Sequence, residues 1–331
     1  MRLVRDRGGS GSKHGRTAYI LRARAGTTTL HGHAMTTLRA VIAKLRLWFD
    51  TAATPAGGNP AEHRVDWVRV LPFVAMHLAC LAVIWVGASW AAVGVAAGLY
   101  ATRMFFVTAF YHRYFSHRTY ETTRPAQFAF AVLGATCVQR GPLWWAAHHR
   151  KHHRHADTPD DVHSPRQHGF WWSHMGWITS PENFPTDLQQ VPDLAKYPEL
   201  RFLDRFDVVV PLLLALILFL IGGAQWLVWG FFISTVVLFH CSCFINSLAH
   251  QMGRRRYPTP DDSKNSLLLS LITFGEGWHN NHHAHPVSAR HGLAWYEFDI
   301  SWITLKLLNA VGLVRDLKAA KLRRLPAEEA A

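Results

Sequence analysis

The stretch Trp144-Trp-Ala-Ala-His-His-Arg-Lys-His-His153 places His149, His152 and His153 three and four residues apart. Side chains at that spacing share one face of a helix, so the three imidazoles converge on one small volume. Neutral imidazole offers a lone pair to iron, zinc or copper near pH 7. The stretch therefore predicts a helix that supplies part of a metal site.

Two more stretches extend this pattern. The segment His279-Asn-Asn-His282-His283 repeats the same spacing, and His112-Arg-Tyr-Phe-Ser-His117 places two histidines five residues apart. Five residues correspond to about 140° around a regular helix, so we expect the helix to end or bend between His112 and His117. A solvated surface role is the ordinary interpretation of a lone histidine, but two such triplets in one chain argue against it.

The number of histidines indicates more than one metal ion. His250, which follows Asn246 by about one helical turn, is a ninth candidate ligand, and the Asn246 amide is suited to hold a metal-bound water. A catalytic zinc usually takes three protein ligands and a structural zinc four, so nine histidines imply two metals. Nitrogen ligand shells with open positions suit iron and dioxygen. We therefore predict oxidation of an unactivated C–H bond in a lipid chain.

Apolar residues make up 49% of the 331 residues and are clustered in long runs. A helix needs about 20 apolar residues to cross the hydrocarbon core of a bilayer. A shorter run at residues 127–138 is expected at the membrane interface or against the spans. The predicted fold class is an all-α integral membrane protein whose four transmembrane helices form two hairpins, at residues 70–86, 90–111, 208–222 and 226–245.

Basic residues predict the topology. The connectors at residues 87–89 and 223–225 contain no Lys or Arg, whereas the N-terminal region, residues 113–207 and the C-terminal part are rich in both. Cytoplasmic loops carry an excess of Lys and Arg, so these three regions are predicted to be cytoplasmic. All nine histidines then face the cytoplasm in a multi-pass membrane protein. Arg103, inside the second span, requires a polar partner or an interior position.

The net charge and the cysteines exclude few classes of function. The chain carries 35 Lys and Arg against 22 Asp and Glu, a net charge of +13. Cytoplasmic loops beside anionic headgroups explain this excess as well as a binding role does, and nucleic-acid binding is not needed. The cysteines lie in or beside apolar segments without C-x-x-C spacing, so we predict that they are reduced packing residues: Cys80, Cys137, Cys241 and Cys243.

The H-x4-H and two H-x2-H-H boxes, the Asn246-x3-His250 motif and the run Gly275-Glu-Gly-Trp-His-Asn-Asn-His-His-Ala-His-Pro286 form one combined pattern. This pattern resembles the membrane fatty acyl desaturases of the acyl-CoA delta-9 (stearoyl-CoA) type, particularly their bacterial members. The resemblance covers about residues 71–318. It implies four transmembrane helices capped by a cytosolic helical domain that carries a polyhistidine di-iron site.

The resemblance also implies an activity. A pair of iron ions (Fe2+/Fe3+) would use O2 to introduce a cis double bond, at the delta-9 position, into a long saturated acyl chain. The electrons would come from an external donor, either a ferredoxin, a cytochrome b5-like protein or a flavoprotein reductase. Asn246 would reach a metal through water, and the implied iron ligands are His112, His117, His149, His152, His153, His250, His279, His282 and His283.

The carrier of the acyl chain stays open. The resemblance favours acyl-CoA, while acyl-carrier protein and intact phospholipid also present a chain to a tunnel that faces the cytosol. A polyhistidine hydroxylase or ketolase shares the ligand pattern, although the H-x4-H first box favours a desaturase. A non-enzymatic metal carrier fits poorly with triplets at helical spacing.

Further residues are implied to shape a substrate tunnel. By resemblance, Trp145, Gln139 and Ser242 form the bend of the acyl chain, and Tyr100 and Met104 close the tunnel on the second span. Ordinary packing between membrane helices is the alternative for each of them.

Other polar residues near the boxes are given supporting roles. Asp157 and Asp161 are predicted to orient ligand imidazoles by accepting their free N–H groups. We expect most of the remaining nearby histidines to support the site or to lie on the surface, with His163 structural: His148, His155, His163, His168, His174, His285 and His291.

Three segments are expected along the chain. Residues 1–60 are basic and rich in Gly and Thr, and we predict a disordered extension without a signal peptide, in which Met35 is an alternative start. Residues 61–320 would form the desaturase domain and residues 321–331 a tail.

Overall fold

The computed structural model describes residues 38–53 and 65–320. The chain divides into two compact units, Met1–Arg46 and Leu47–Ala331, and the described part of the first, residues 38–46, is helical. Within the described residues the structure contains helices and three isolated β-bridges but no β-strand. The all-α prediction is therefore confirmed for this part of the chain.

Several α-helices continue directly into 3-10 or π-helical turns. The α-helices are α1 (38–49), α2 (Trp67–Ala79), α3 (Val83–Val86), α4 (Trp90–Phe105), α5 (Arg124–Ala135), α6 (Pro142–His155), α7 (Pro165–Trp171), α8 (Pro192–Ala195), α9 (Pro198–Arg205), α10 (Val209–Trp226), α11 (Ser234–Ser247), α12 (Leu267–Ile272), α13 (His279–Ala284) and α14 (Ile300–Ala310). The π-helical segments are Phe106–Ser116, Trp172–Gly176 and Leu227–Ile233. The 3-10 turns are Thr51–Ala53, Cys80–Ala82, Trp177–Thr179, Pro181–Asn183, Leu188–Gln190 and Leu248–His250.

Three helices among the described residues are long and apolar enough to cross a membrane: Trp67–Val86, Trp90–Ser116 and Val209–His250. The last has 42 residues, and its backbone is non-helical at Gly222 and Gly223. The structure thus has three candidate spans where the sequence predicts four, because the third covers both of the later predictions. These helices identify a membrane protein.

Polar side chains fasten the two tight connectors to each other. The Ser89 hydroxyl caps α4 by accepting from the Ala92 amide at 3.1 Å, and it donates to the Gln225 side chain at 2.7 Å. The Gln225 amide in turn donates to the Val86 carbonyl at 2.9 Å. Gly87 adopts a φ of 65°, a left-handed conformation that glycine accepts without strain, so the chain can turn sharply there.

The helix that carries the first histidine pair widens before it ends. Residues Phe106–Ser116 form π-helical turns after α4, and the His117 amide donates to the His112 carbonyl at 3.2 Å. The i→i+5 bonding of a π-helix stacks residues that are five apart. The helix ends at Ser116, between the two histidines as expected. The widening was not foreseen, and it contributes to bringing the two ring centroids within 4.9 Å.

Helix α5 packs against this π-helical segment and corresponds to the short apolar run at residues 127–138. It has 12 residues, too few to span a bilayer. The rings of Phe110 and Phe130 stack with centroids 3.9 Å apart. Gly134 lies so close to Tyr111 that a Cβ atom there would come within 2.1 Å of the ring. The close approach fixes the segment that carries His112.

Arg103 lies inside the second candidate span with only 1% of its surface exposed. A guanidinium has five N–H groups. They donate at 2.6–3.5 Å to neutral acceptors, which are the carbonyls of Leu99, Thr136 and Gly230 and the hydroxyls of Ser234 and Thr235. The residue therefore has both the polar partners and the interior position that the sequence requires.

Three histidines outside the clustered motifs form a hydrogen-bonded series between elements. The ring of His77 in α2 contacts that of His240 in α11 at 3.1 Å, and His240 contacts His174 at 3.0 Å. The hydroxyl of Ser247 lies 3.1 Å from the other nitrogen of His174. The series ties α2 and α11 to the π-helical segment Trp172–Gly176.

Part of the basic N-terminal extension expected at residues 1–60 lies among the described residues. Residues 38–49 form α1, and Asp50 pairs with Arg205, 155 positions away, at 2.8 and 2.9 Å. The disordered extension and the boundaries of the desaturase domain stay predictions. Residues 1–37 and 54–64 lie outside the described residues, as does the expected tail at 321–331. All four cysteines are free, as predicted.

Candidate metal centre

Helix α6 carries the second histidine box into the site. Pro142 in its first turn has the fixed φ that suits a helix start. The Asp204 carboxylate accepts from the Trp144 amide at 2.7 Å and so satisfies one of the amides that a helix start leaves without an intrahelical partner. The helix then continues through the whole box, which confirms the helix predicted from its spacing.

The structure brings all nine predicted histidines together in two adjacent groups, in each of which the ligand nitrogens lie within 4.8 Å of one another. Both H-x-x-H-H boxes contribute to both groups, because adjacent residues of a helix project about 100° apart. The first group is His112, His117, His149, His153 and His282, and the second group is His152, His250, His279 and His283.

Ring nitrogens face one another within these groups. The Nε2 atom of His282 lies 3.0 Å from Nε2 of His112 and 2.9 Å from Nε2 of His153. The Nε2 atoms of His117 and His149 are 2.7 Å apart. Such close nitrogen pairs require a proton or a cation between them.

Four carboxylates lie against the opposite nitrogens of these rings. In each case the carboxylate contacts Nδ1 of a histidine whose Nε2 is directed into its group. The contacts expected of Asp157 and Asp161 are present, and the other two carboxylates were not foreseen. The pairs are Asp157 with His250 (2.8 Å), Asp161 with His152 (2.9 Å), Asp261 with His283 (2.9 Å) and Glu276 with His112.

These pairings indicate which ring nitrogen carries the proton. A carboxylate accepts, so Nδ1 of each paired histidine carries the hydrogen and Nε2 presents a bare lone pair. The Nε2 atom of His283 is buried without a hydrogen-bond partner, and Nε2 of His250 faces Nε2 of His279 at 3.0 Å. Lone pairs that converge in a buried space repel one another unless a cation lies between them. The donor set therefore fits metal ions.

Burial keeps most of these imidazoles neutral. Burial, followed by the charges of neighbouring histidines, holds the pKa of His149 and His153 well below the usual 6.5. Burial also lowers the pKa of His283 to about 4. For His152 burial acts in the same direction but is outweighed by the Asp161 carboxylate, so the pKa is raised. Neutral imidazole is the form that binds a metal, so most of the set can bind at pH 7 without losing a proton.

A cavity of about 270 Å³ reaches the first group, and Trp145, Gln139, Ser242 and His149 are among its lining residues. The Trp145 indole donates to the Gln139 side-chain oxygen at 3.3 Å, and the Gln139 amide donates to the Ser242 hydroxyl at 2.9 Å. The three residues expected at a tunnel bend thus form one hydrogen-bonded series in the cavity wall.

A smaller cavity of about 60 Å³ touches both groups and is lined in part by Met104 and Asn246. Met104 is only 1% exposed. Asn246 also lines the larger cavity. Tyr100 is placed differently, because its hydroxyl donates to the carbonyl of Ile272 at the end of α12.

A buried cluster beside His112 was not foreseen. The Arg113 guanidinium contacts Glu276 at 3.0 Å and Asp299 at 2.9 Å. His291 is 1% exposed and its ring centroid lies 4.5 Å from that of His282, so it supports the site and is not a surface residue. A signal was present for Glu276, a carboxylate three residues before His279 in the third box.

The fold and the site define a helical membrane protein with a buried, histidine-rich centre suited to metal ions. The family model described as fatty acid desaturase matches residues 88–302, which include both histidine groups. The chain belongs to the fatty acid desaturase family, and it is therefore an oxidoreductase of lipid metabolism.

Curated relatives extend over most of the chain. It is 39% identical over 260 residues to the sn-1 stearoyl-lipid 9-desaturase of Anabaena variabilis, covering 78% of this chain and 95% of the relative. The sn-1 stearoyl-lipid 9-desaturase of Synechocystis sp. is 38% identical over 280 residues, covering 83% and 86%. The acyl-CoA 5-desaturase of Anemone leveillei is 37% identical over 268 residues, covering 77% and 83%. The family membership is thus broader than the acyl-CoA type that the motifs suggested.

Proposed function

We propose that this protein is an O2-dependent desaturase that introduces a cis double bond at the delta-9 position of a long saturated acyl chain. The observation that carries the proposal is the position of a cavity, lined by Trp145, Asn246 and His149, against two convergent imidazole groups. An acyl chain in that cavity would lie beside the metal centre. The names of the two cyanobacterial relatives support the bond position.

We propose two iron ions as the cofactor, which the two histidine groups would hold, with Asn246 reaching a metal through water. The inward-facing lone pairs and the four carboxylates behind the rings support this assignment. When bound, the iron pair supplies the oxidising power that removes two hydrogens from unactivated C–H bonds. An external ferredoxin, cytochrome b5-like protein or flavoprotein reductase provides two electrons, and with two protons O2 leaves as two waters.

The protein's own residues position the substrate and exclude water. The hydrogen-bonded series of Trp145, Gln139 and Ser242 gives the cavity wall a fixed shape and bends the chain beside the histidines. Met104 packs at the smaller cavity and limits the chain beyond the bend. Enclosure of the reacting carbons keeps water from the site during oxidation.

We infer four transmembrane spans with the metal centre on the cytoplasmic side of a bacterial inner membrane. The non-helical backbone at Gly222 and Gly223 supports a division of the helix Val209–His250 into two spans. The Leu218 side chain would lie 3.4 Å from a Cβ added at Gly230, which indicates that the two parts fold back on each other. The distribution of Lys and Arg supports the orientation.

We propose a membrane glycerolipid as the carrier of the acyl chain. The relatives that act on stearoyl-lipid support it, one of them matched over 95% of its length. Acyl-CoA, which the motifs favoured, is the second candidate, because the acyl-CoA 5-desaturase of Anemone leveillei is 37% identical.

Product analysis tests the activity. Cells that express the wild type are expected to gain monounsaturated chains with a delta-9 bond, and cells that express His283→Ala are not. Purified iron-loaded protein given stearoyl phospholipid or stearoyl-CoA, with one electron donor at a time, would then identify the carrier. Hydroxylated chains would assign a hydroxylase instead, and a lack of any oxidised product with each donor would reject the proposal.

A further inference from the structure

Arg69 lies in the wall of the 270 Å³ cavity, and part of its side chain lacks hydrogen-bond partners. The side chain of Arg69 is only 3% exposed, and its Nε and Nη2 atoms have no hydrogen-bond partner. The Asp66 carboxylate forms an ion pair with Nε at 3.7 Å, a distance too long for a hydrogen bond. Trp177 adds a buried indole N–H without a partner to the same cavity. The cavity therefore presents several donors that lack an acceptor.

A second guanidinium increases the positive charge there. Arg140 lines the same cavity and is held by Asp207 at 2.7 Å. The ring of Phe184 lies 4.6 Å from the Cζ atom of Arg69 and 5.3 Å from that of Arg140. The aromatic face holds Arg69 by a cation–π contact and leaves its N–H groups free to bind a ligand.

The position of Arg69 suits the head of a lipid. It is the third residue of α2, so it lies about 5 Å or less from the start of a candidate span, near the level of lipid headgroups. The same cavity is lined by Trp145, His149 and Asn246. One molecule can therefore place a polar head at Arg69 and its acyl chain against the histidines.

We propose that Arg69, with Arg140 and Trp177, binds a phosphate group carried by the acyl substrate. This inference rests on the proposed function and adds the chemistry of the substrate head. Buried guanidinium nitrogens that lack hydrogen-bond partners are costly, and a phosphate oxygen pair matches the planar fork formed by Nε and Nη2 of Arg69. Glycerophospholipids and acyl-CoA both carry such a phosphate. The position of Arg69 inside a candidate span, near the level of lipid headgroups, favours the phospholipid.

Ligand binding without turnover tests this proposal. Iron-loaded protein in detergent is titrated, by native mass spectrometry, with distearoyl phosphatidylglycerol, with stearoyl-CoA and with a distearoyl monogalactosyl diacylglycerol that lacks phosphate. The variants are Arg69→Gln and Arg69→Lys, and the matched control is Arg201→Gln, an exposed arginine of α9. We expect Arg69→Gln to bind a phosphate-bearing ligand about tenfold more weakly, with Arg69→Lys intermediate.

The outcomes separate the possible ligands. A loss confined to phosphatidylglycerol or to stearoyl-CoA supports the site and identifies the source of the phosphate. Unchanged affinity of Arg69→Gln for both would overturn the proposal, as would an equal loss for the galactolipid, because Arg69 would then only shape the cavity. Melting temperature and iron content confirm that the variants fold, and Arg69→Lys provides the comparison if Arg69→Gln does not. Binding that depends on Arg69 in a protein that makes no double bond would contradict the proposed function alone.

Discussion

Asp157, Asp161, Asp261 and Glu276 each lie against Nδ1 of a histidine whose Nε2 points into the centre. This arrangement fixes the tautomer and the rotation of each ring before any metal binds. Glu276 also pairs with the buried Arg113, so Arg113 holds the carboxylate that in turn holds the ring of His112. The geometry of the centre thus depends on residues that need not touch a metal.

Loss of one ligand should remove a metal while the protein stays in the membrane. His153→Ala alters the first group, whereas His250→Ala and His283→Ala alter the second. Each variant is expected to lose desaturation by about 100-fold or more and to fall from about two irons per chain to about one. Elemental analysis and product analysis of protein from the membrane fraction measure both effects.

The matched control is His155→Ala, which changes a histidine whose side chain is 40% exposed. It should keep both iron and activity. Near-normal activity in the three ligand variants, or one tightly bound zinc per chain in active protein, would contradict the assignment.

Glu276→Gln should weaken iron binding without removing a ligand. The amide keeps an acceptor for His112 but loses the charge that pairs with Arg113. We expect an affinity for iron about 10- to 100-fold lower, measured by competition with a chelator. Glu199→Gln, which disrupts an exposed pair with Arg124, is the control and should bind iron as the wild type does. An unchanged affinity in Glu276→Gln would show that this carboxylate does not position the ring.

Among the elements, α6 and the π-helical segment Phe106–Ser116 set the distance between the centre and the substrate. Trp145 lies on the same helix as His149, and Met104 precedes the segment that carries His112. The residues that shape the cavity are thus built into the helices that carry the histidines. Changes in cavity size can therefore alter substrate length while leaving the position of oxidation fixed.

Met104→Ala should shift the preferred chain length upwards by a few carbons. It removes several heavy atoms from a residue that is 1% exposed at the smaller cavity. A methylene in an apolar pocket discriminates by about 1 to 3 kcal/mol, so the profile should shift gradually while the bond position stays the same. Competition among chains of different length measures the profile.

Met252→Ala, at a position 59% exposed, is the control for this change. An unchanged profile with full activity in Met104→Ala would show that the chain ends elsewhere. Tyr100→Ala, in contrast, is expected mainly to loosen α12, since the Tyr100 hydroxyl donates to Ile272.

Helical spacing predicted the histidine groups well because i, i+3 and i+4 positions share a face whatever the surroundings are. The same reasoning failed to find the widening of Phe106–Ser116, since the bonding pattern of a π-helix depends on neighbours such as Tyr111 and Gly134. The Asp261 and Glu276 contacts were also missed, because they join positions 22 and 164 residues apart. Local periodicity carries no information about such partners.

At the scale of the whole molecule, polar contacts within apolar helices hold the described spans together. Arg103 joins α4 to residues of the helix Val209–His250, and the series of His77, His240 and His174 joins α2 to α11 and to the segment after α7. Hydrogen bonds of this kind are directional, so they fix the relative rotation of helices that apolar packing alone would leave less defined.

Acid should weaken this series of histidines. Burial, followed by the charge of His240, lowers the pKa of His174 to about 4 from the usual 6.5. The folded state therefore holds His174 neutral where the unfolded chain would protonate it, so its contribution to stability is present above about pH 6.5 and is lost as the pH falls toward 4. We expect the melting temperature in detergent to fall by a few degrees more for the wild type than for His174→Gln between pH 7 and pH 4.5.

His155→Gln serves as the control for this comparison, because its side chain is 40% exposed. It should follow the wild-type curve. A His174→Gln curve that is parallel to the wild type at all pH values would show that His174 does not titrate with unfolding.

The π-helical segment Phe106–Ser116 also limits where the chain can gain or lose a residue during evolution. Deleting one residue of this segment before His112 would rotate the His112 side chain around the helix axis by about 100° relative to the preceding residues. The imidazole would then point away from its group, even if every other side chain were retained. Inserting one codon would do the same in the opposite sense. The connector at residues 87–89 lies at the far end of α4, so a change of length there would disturb the Ser89–Gln225 contact but leave His112 in phase with residues 106–116. We therefore expect insertion and deletion scanning to find this connector more tolerant than the wide turns.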